Sequence, residues 1–348
     1  MTVETTATRC NEVQTSSWMA KNLRWLWALC LATVVLAIVL VGGPALRQHF
    51  VLEAFRASGD GFGTHPIGPH WMRKWIGVAR MQSVEAIESV HLSASSIPLI
   101  IDNPDLFARV HFVSVETLPR STEAVTRLFG DTQTAALLPN VRHVMATGGP
   151  FSDSDMSLLD RCRSLEHLAL LNTAISNASL AHIGQHSKLR ILEIGFNTID
   201  DSEFHRLAPL LELRVLNLSD TQVGDDSTKT IARFLQLEHL QLGTTAVTDA
   251  GLAELVSLRS LKALRIGNPD VTDAGMKSIA QLESLEFLSL ENTTITGAGL
   301  GVLATLPNLT EVYIYGNSIT SVDIAEFDRL RKSAGLSLCI VRNFRTEK

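Results

Sequence analysis

Cysteine is scarce in this sequence, and its scarcity excludes one common way of stabilising a protein. Only four of the 348 residues are cysteine, and Cys10 and Cys30 precede or lie within an apolar segment near the N-terminus. The other two, Cys162 and Cys339, are seven repeats apart in the pattern described below. At about 4.8 Å per strand they are separated by roughly 34 Å, which is far beyond the reach of a disulfide. A disulfide framework is therefore excluded.

Positive charge is also in short supply. Lys and Arg number 30 against 36 Asp and Glu, which gives a net charge of −6 at pH 7. Binding to nucleic acid relies on a basic surface, and this chain has no basic tract. We therefore exclude nucleic acid as a partner.

Sequence signatures of catalysis are missing as well. The chain contains no H-E-x-x-H, G-x-S-x-G, G-x-x-x-x-G-K or C-x-x-C motif. Its acidic pairs fall at turns where a carboxylate favours the start of a helix, and this explains them better than general acid catalysis does. The pairs are Asp153/Asp155, Asp200/Asp201 and Asp225/Asp226. The sequence predicts a protein that is not an enzyme and that uses no cofactor.

Leucine, by contrast, recurs at regular intervals. Residues 236–306 contain three copies of one pattern, QLEHLQLGTTAVTDAGLAELVSL, SLKALRIGNPDVTDAGMKSIAQL and SLEFLSLENTTITGAGLGVLATL. A constant step of 24 residues relates Leu165, Leu189, Leu213, Leu237, Leu261, Leu285 and Leu309. Weaker copies precede these, with inward positions predicted at Val141/Val144/Ala146, at Phe107/Val110/Phe112 and at Ile87/Val90/Leu92. A period of this length predicts a solenoid.

Each copy has the pattern L-x-x-L-x-L-x-x-[TN]-x-[IV], which is typical of a leucine-rich repeat. The three apolar side chains of L-x-x-L-x-L point into the coil, and the residues between them point out. A Thr or Asn after the strand can satisfy backbone groups of the turn, except in the copy that has Pro269 there, and Thr-Asp pairs such as Thr248-Asp249 predict helix starts. We predict an α/β fold over residues 87–320. It is a leucine-rich repeat solenoid, a horseshoe of about ten 24-residue coils with a parallel concave sheet and short convex helices.

The N-terminal region carries the one long apolar run. Residues 1–24 are polar and predict a disordered tail, whereas residues 25–43, WLWALCLATVVLAIVLVGG, carry no charge. We interpret residues 25–43 as one transmembrane helix. A cleaved signal peptide is the alternative, but the run is long for one and Gly43-Pro44-Ala45 is a poor cleavage site. This predicts a single-pass protein of the cell membrane with its repeat domain outside the cytoplasm.

Linking and capping segments are expected around the array. Residues 44–68 are interpreted as a linker and residues 69–86 as an N-terminal cap, because PHWMRKWIG has the apolar spacing of one helical face. A membrane-surface helix would have a similar pattern. Residues 321–348 are interpreted as a C-terminal cap, with a helix followed by a closing strand that turns Leu336, Leu338 and Ile340 inward.

The T-D-A-G-L motif that follows L-x-x-L-x-L-x-x-T resembles bacterial leucine-rich repeats close to the cysteine-containing subtype, with the ribonuclease-inhibitor-like fold. The segment GPHWMRKWIG, set behind a transmembrane helix, is similar to membrane-anchored repeat proteins of planctomycete bacteria. The resemblance covers about residues 68–343. In eukaryotes this subtype often follows an F-box, which has no counterpart here. The resemblance implies a role in protein interaction, with no particular partner.

Histidines gather on the outward face of the early coils. Arg109, His111, His143 and His167 are expected on consecutive strands, where His111, His143 and His167 are candidate metal ligands. The alternative is that they are solvated polar residues on an open sheet.

Aromatic residues gather on the same face near the C-terminus. Phe287, Tyr313 and Tyr315, with Arg265 and Glu291 around them and His239 farther along the face, are the predicted partner-binding residues, since aromatic residues and Arg are the usual anchors of protein interfaces. The alternative is that the C-terminal cap covers the three aromatic rings. We therefore expect a protein or peptide ligand on the concave face. A module that binds envelope polysaccharide or peptidoglycan is the second hypothesis, and a metal enzyme is the third.

Overall fold

The computed structural model describes residues 62–65, 86–92, 112–116, 138–148 and 151–343. All of them belong to one of the two compact units of the chain, formed by residues 58–65 and 86–348. The predicted transmembrane segment at residues 25–43 and the predicted N-terminal cap, apart from Ala86, lie outside the described residues. Among the helices that are described, none has the length and apolar character needed to cross a membrane.

The described residues contain twelve strands, which form one sheet, and their order in the sheet is their order in the chain. β1 pairs with β2 in antiparallel orientation, and every later pair is parallel. The strands are β1 (Phe62–His65), β2 (Ala86–Leu92), β3 (Phe112–Glu116), β4 (His143–Thr147), β5 (His167–Leu171), β6 (Ile191–Glu193), β7 (Val215–Asn217), β8 (His239–Gly243), β9 (Ala263–Gly267), β10 (Phe287–Leu290), β11 (Glu311–Tyr313) and β12 (Ile340–Arg342). The predicted solenoid with a parallel sheet is confirmed.

The 24-residue period sets the register of the sheet. Leu216 pairs with Leu192 and with Leu240, and the same column continues through Leu264 and Leu288. These leucines are at most 1% exposed, so each coil adds its own layer to the core. Because the parallel sheet pairs equivalent residues of successive repeats, a substitution in one repeat affects only that repeat and its neighbours.

The third strand begins later than the pattern predicts. Val113 pairs with Val90 and with Val144, whereas Val110 was predicted at this position. The segment FARVHFVSVE fits L-x-x-L-x-L twice, once from Phe107 and once from Val110, and the strand uses the second fit. Ser114 therefore pairs with His91 and Met145 in place of His111. Arg109 and His111 lie outside the described residues.

Short helices and 3₁₀ turns carry the chain back from strand to strand. The helices are α1 (Met156–Leu159), α2 (Leu180–Ile183), α3 (Asp225–Ile231), α4 (Asp249–Glu254), α5 (Asp273–Ile279), α6 (Gly297–Leu303) and α7 (Ser321–Ser333). The 3₁₀ turns are Leu138–Asn140, Asp153–Asp155, Asn177–Ser179, Phe204–Leu207 and Leu255–Ser257. Their apolar residues, such as Leu252, Met276 and Leu300, are buried against the strands.

The Thr and Asn column after the strands satisfies backbone groups as predicted. Asn197 donates to the carbonyl of Leu170 at 2.6 Å and accepts from the Thr173 amide at 2.9 Å, which joins two coils. In the copy with Pro269, the preceding residue takes over this role. The buried side-chain amide of Asn268 donates to the Val247 carbonyl at 2.7 Å. Buried backbone groups need such partners, and Asn can both donate and accept.

The Thr-Asp-x-Gly motif links each coil to the next. Thr248 and Thr272 cap their helices by accepting from an amide two residues later, as predicted. The Asp at the helix start also bonds to the next coil. The Asp249 carboxylate accepts a hydrogen bond from the Thr272 amide at 2.9 Å and one from the Thr272 hydroxyl at 2.6 Å. A Cβ on Gly275 would lie 2.3 Å from Asp249 Oδ1, so this glycine leaves room for the carboxylate. The same contacts join Asp225 to Thr248 and Asp273 to Thr296.

The C-terminal end is closed by α7 and β12. Arg331 is fully buried and donates to the carbonyls of Leu306, Leu309 and Ser337 at 2.8, 3.0 and 2.9 Å. The predicted inward positions of the closing strand are wrong: Leu338 and Ile340 are 73% and 56% exposed, and Val341 pairs with Val312 in the inward column. The segment LSLCIVR contains two overlapping alternations, and the structure buries the one that includes Cys339.

Candidate functional site

The outward face of the sheet presents two columns of side chains. The first contains His143, His167, Ile191, Val215, His239, Ala263, Phe287 and Glu311. The second contains Met145, Ala169, Glu193, Asn217, Gln241, Arg265, Ser289 and Tyr313. Both columns have the register that the 24-residue period predicts from β4 onward. Four of the residues proposed to bind a partner therefore lie on one face of the sheet, namely His239, Arg265, Phe287 and Tyr313.

Aromatic and guanidinium groups form a continuous stack across the last four strands. The rings of Phe287 and Tyr313 lie 5.3 Å apart between centroids. Arg265 places its Cζ 5.4 Å from the Phe287 centroid, and Arg342 places its Cζ 5.8 Å from the Tyr313 centroid. Arg342 also pairs with Glu311. Sequence reasoning missed Arg342 because it placed the closing strand in the other register.

The described part of the C-terminal cap leaves this stack open to solvent. Phe287 and Tyr313 are half-buried, and Tyr315 is 39% exposed. Of the other predicted residues, Glu291 lies one repeat before Tyr315 and is half-buried. His239 is exposed and lies two strands from Phe287, so it is on the same face and outside the stack.

A groove that the sequence did not predict borders the sheet where the strands end. It has a volume of ≈ 260 Å³, and Phe196, Asp220 and Thr244 line it together with Arg265 and Glu291 of the predicted site. Its remaining lining residues are Asn217, Ser219, Gln241, Gly243, Ile266, Gly267, Ser289 and Asn292. The groove therefore joins the aromatic stack to residues three coils farther toward the N-terminus.

Phe196 is the unusual member of its column. The residue after each strand has a left-handed backbone conformation in most coils, at Gly148, Asn172, Phe196, Asp220, Thr244, Asn292 and Gly316. Phe196 has φ of 59° and is 51% exposed, although this conformation is unfavourable for a bulky side chain. The signal in the sequence was one aromatic residue in a column of Gly, Asn, Asp and Thr.

Two of the N-terminal histidines form a pair. His143 and His167 lie 5.7 Å apart between ring centroids, and His167 Nε2 is 3.2 Å from Glu193 Oε2. Across the described residues no group of three or more His, Cys, Asp and Glu side chains could hold a metal ion. His111, the third candidate ligand, lies outside them.

A second histidine cluster lies under the early coils. His186 is 6% exposed in a column that is otherwise Cys, Leu or Phe, and its Nε2 has no hydrogen-bond partner. Burial lowers the pKa of His186, against the opposing effects of Asp160 and of a hydrogen bond to the Cys162 backbone, and His182 lowers it further. Burial also raises the pKa of Cys162 to about 12, so its thiol is not a nucleophile near neutral pH.

Two solved structures of bacterial proteins are similar to this chain. An internalin from Listeria monocytogenes is similar over 72% of this chain and 70% of its own, with a TM-score of 0.54 and 18% identity. A leucine-rich repeat protein from Leptospira interrogans is similar over 68% of this chain and 67% of its own, with a TM-score of 0.45 and 18% identity. No family model and no curated protein matches the sequence. The chain is a leucine-rich repeat solenoid by its fold.

Proposed function

We propose that the solenoid binds another protein or a peptide on its concave face, without catalysis. The observation that carries the proposal is the partly exposed stack of Arg265, Phe287, Tyr313 and Arg342. Aromatic and arginine side chains are enriched among the few residues that dominate the binding energy of protein interfaces. The remaining predicted contacts, Tyr315, Glu291 and His239, lie around this stack.

We propose in addition that residues 25–43 anchor the chain in a cell membrane and that the repeat domain lies outside the cytoplasm. The support is the uncharged apolar run of residues 25–43. Protease added to intact cells should then cleave the repeat domain. A repeat domain that stays uncut until the cells are lysed would contradict the proposed orientation.

A pull-down with the full chain tests the binding proposal. The bait is compared with a variant that carries Phe287→Ala, Tyr313→Ala and Tyr315→Ala, and we expect the specific partners to be lost from the variant. The matched control is Leu211→Ala with Leu235→Ala, since both leucines are more than half exposed and lie before the strands, away from the stack. Identical partners on the bait and the aromatic variant would remove the stack from the binding site.

Binding of envelope polysaccharide is the alternative, and the same variants distinguish it. A site for an extended polysaccharide needs aromatic rings along its length. The groove at the ends of the strands has Phe196 at one end and the Phe287–Tyr313 pair near the other. Retention of the chain on insoluble peptidoglycan, lost in the aromatic variant, would favour this alternative over protein binding.

A further inference from the structure

We propose that the groove lined by Phe196, Asp220, Arg265 and Glu291 is a docking site for an extended peptide segment of a partner protein. The segment carries an apolar side chain, which packs on Phe196, and at least one basic side chain, which pairs with a groove carboxylate. The inference rests on the proposed function and specifies the groove and the chemistry of the ligand.

Phe196 provides the apolar contact. More than half of its surface is exposed at the wall of the groove, and its backbone conformation is one that Asn, Asp or Gly adopts more easily. An Asn at this position would fit the turn and expose less apolar surface. The phenylalanine is therefore explained by a contact that the isolated chain does not make.

The charges of the groove indicate a basic ligand. Within the described residues, neither the Asp220 nor the Glu291 carboxylate has a hydrogen bond or an ion pair, whereas the concave-face carboxylates of Glu193 and Glu311 are paired. The one cation that lines the groove, Arg265, lies over the Phe287 ring. Two carboxylates without partners in a concave surface attract a Lys or Arg side chain.

The floor of the groove fits a peptide backbone. In three successive coils the residues of this column that line the groove are Ser219, Gly243 and Gly267, so the floor carries hardly any side chain. From Phe196 to Asn292 the groove crosses four strand spacings, or roughly 19 Å, which an extended peptide of about six residues spans. Asp220 and Glu291 are three spacings apart, so basic side chains about four residues apart reach both.

A library of random phage-displayed peptides, selected on the immobilised full chain, tests the proposal. We expect the selected peptides to combine Lys or Arg with Leu, Ile or an aromatic residue. A synthetic copy of a selected peptide should bind about tenfold more weakly to Phe196→Asn and to Asp220→Asn with Glu291→Gln, since hot-spot contacts contribute at least that much. Binding should also weaken as salt is added.

Gly243→Trp blocks the groove with little effect on the coil. A Cβ at Gly243 meets only Ser219 Oγ, at an ordinary contact distance of 3.6 Å, and Gly243 lines the groove that the indole ring would fill. The matched control is Ala253→Trp on the exposed side of α4. We expect equal thermal unfolding for the two variants and loss of peptide binding in Gly243→Trp alone.

Several results would overturn the proposal. Selection of acidic peptides, selection of none, or binding that is unchanged in both Phe196→Asn and Gly243→Trp would each reject it. Peptides that lose binding only to the Phe287, Tyr313 and Tyr315 alanine variant would reject the groove and retain the proposed concave-face function. Peptidoglycan fragments that bind and are blocked by Gly243→Trp would show that the site exists and that its ligand is a saccharide.

Discussion

Two rows of residues repeat every 24 positions, and they differ in what they contact. At the helix starts, Asp225, Asp249 and Asp273 each accept two hydrogen bonds from the Thr of the next coil. At the ends of the strands, Phe196 is exposed and the Asp220 carboxylate has no partner among the described residues. The first row is fully explained by the stability of the coil stack. The second row is not explained by stacking, and the Phe196 ring and the Asp220 carboxylate mark the surface on which we expect binding.

The largest predicted effect is at the C-terminal end, at the fully buried side chain of Arg331. Arg331→Ala removes three hydrogen bonds to carbonyls and leaves a cavity, so the free energy of unfolding should fall by about 3–5 kcal/mol. Chemical denaturation measures the change. Arg329→Ala on the same helix is the control, because its side chain pairs with Glu326 at the surface. Equal effects of the two variants would contradict the structural role of Arg331.

A double-mutant cycle tests the link between Asp249 and Gly275. Asp249→Ala should lower the free energy of unfolding by about 1–3 kcal/mol, because the Thr272 amide and hydroxyl lose a charged acceptor. Gly275→Ala places a methyl group against the same carboxylate and should also destabilise. With Asp249 already replaced, Gly275→Ala should be tolerated better, so the two effects are not additive. Strict additivity would show that the carboxylate does not explain the glycine.

The buried histidine should make stability depend on pH. Its pKa is lowered in the folded protein, so the unfolded chain binds the proton more tightly. Above pH 6.5, the ordinary pKa, His186 is neutral in both states and does not lower the free energy of unfolding. As the pH falls from 6.5 toward the lower folded pKa, the unfolded chain is protonated first, and the free energy of unfolding decreases. His186→Leu should remove this part of the pH dependence and stabilise by about 1–2 kcal/mol, because it replaces an unpartnered buried nitrogen with an apolar group.

Unfolding curves at several pH values check the role of His186. His205→Leu, at an exposed position of a convex turn, provides the control. If His186→Leu and the wild-type chain lose stability in parallel between pH 6.5 and pH 5, His186 does not cause the pH dependence.

The smallest predicted effects separate two glycines that are two repeats apart, buried Gly195 and Gly243 in the lining of the groove. Gly195→Ala brings its Cβ to 2.8 Å from the Ser219 carbonyl oxygen, and the backbone shift should destabilise by about 1–2 kcal/mol. Gly243→Ala meets nothing closer than 3.6 Å and should leave thermal unfolding almost unchanged. A large loss of stability in Gly243→Ala would undermine its use as a neutral position for blocking the groove.

The fold and the main face of the site could be predicted because the period constrains them. Once Leu216 is assigned to a strand, the 24-residue step fixes its neighbours, and Phe287 and Tyr313 must then lie on adjacent strands and on the same face. Prediction failed where a segment fits the pattern in two registers, at Val113 and at Val341. It also missed the groove. The period places Phe196 as one aromatic residue in a column of Gly, Asn, Asp and Thr, but its left-handed conformation and its exposure are visible only in the structure.

Phe196→Asn tests the central claim most directly, because one change should move stability and binding in opposite directions. Relief of the left-handed backbone strain should leave the free energy of unfolding unchanged or raise it by up to about 1 kcal/mol. Binding of the selected peptide should weaken about tenfold in the same preparation. Peptide binding that is unchanged, or a variant that unfolds more easily than the wild-type chain, would show that Phe196 is a structural residue and not a docking site.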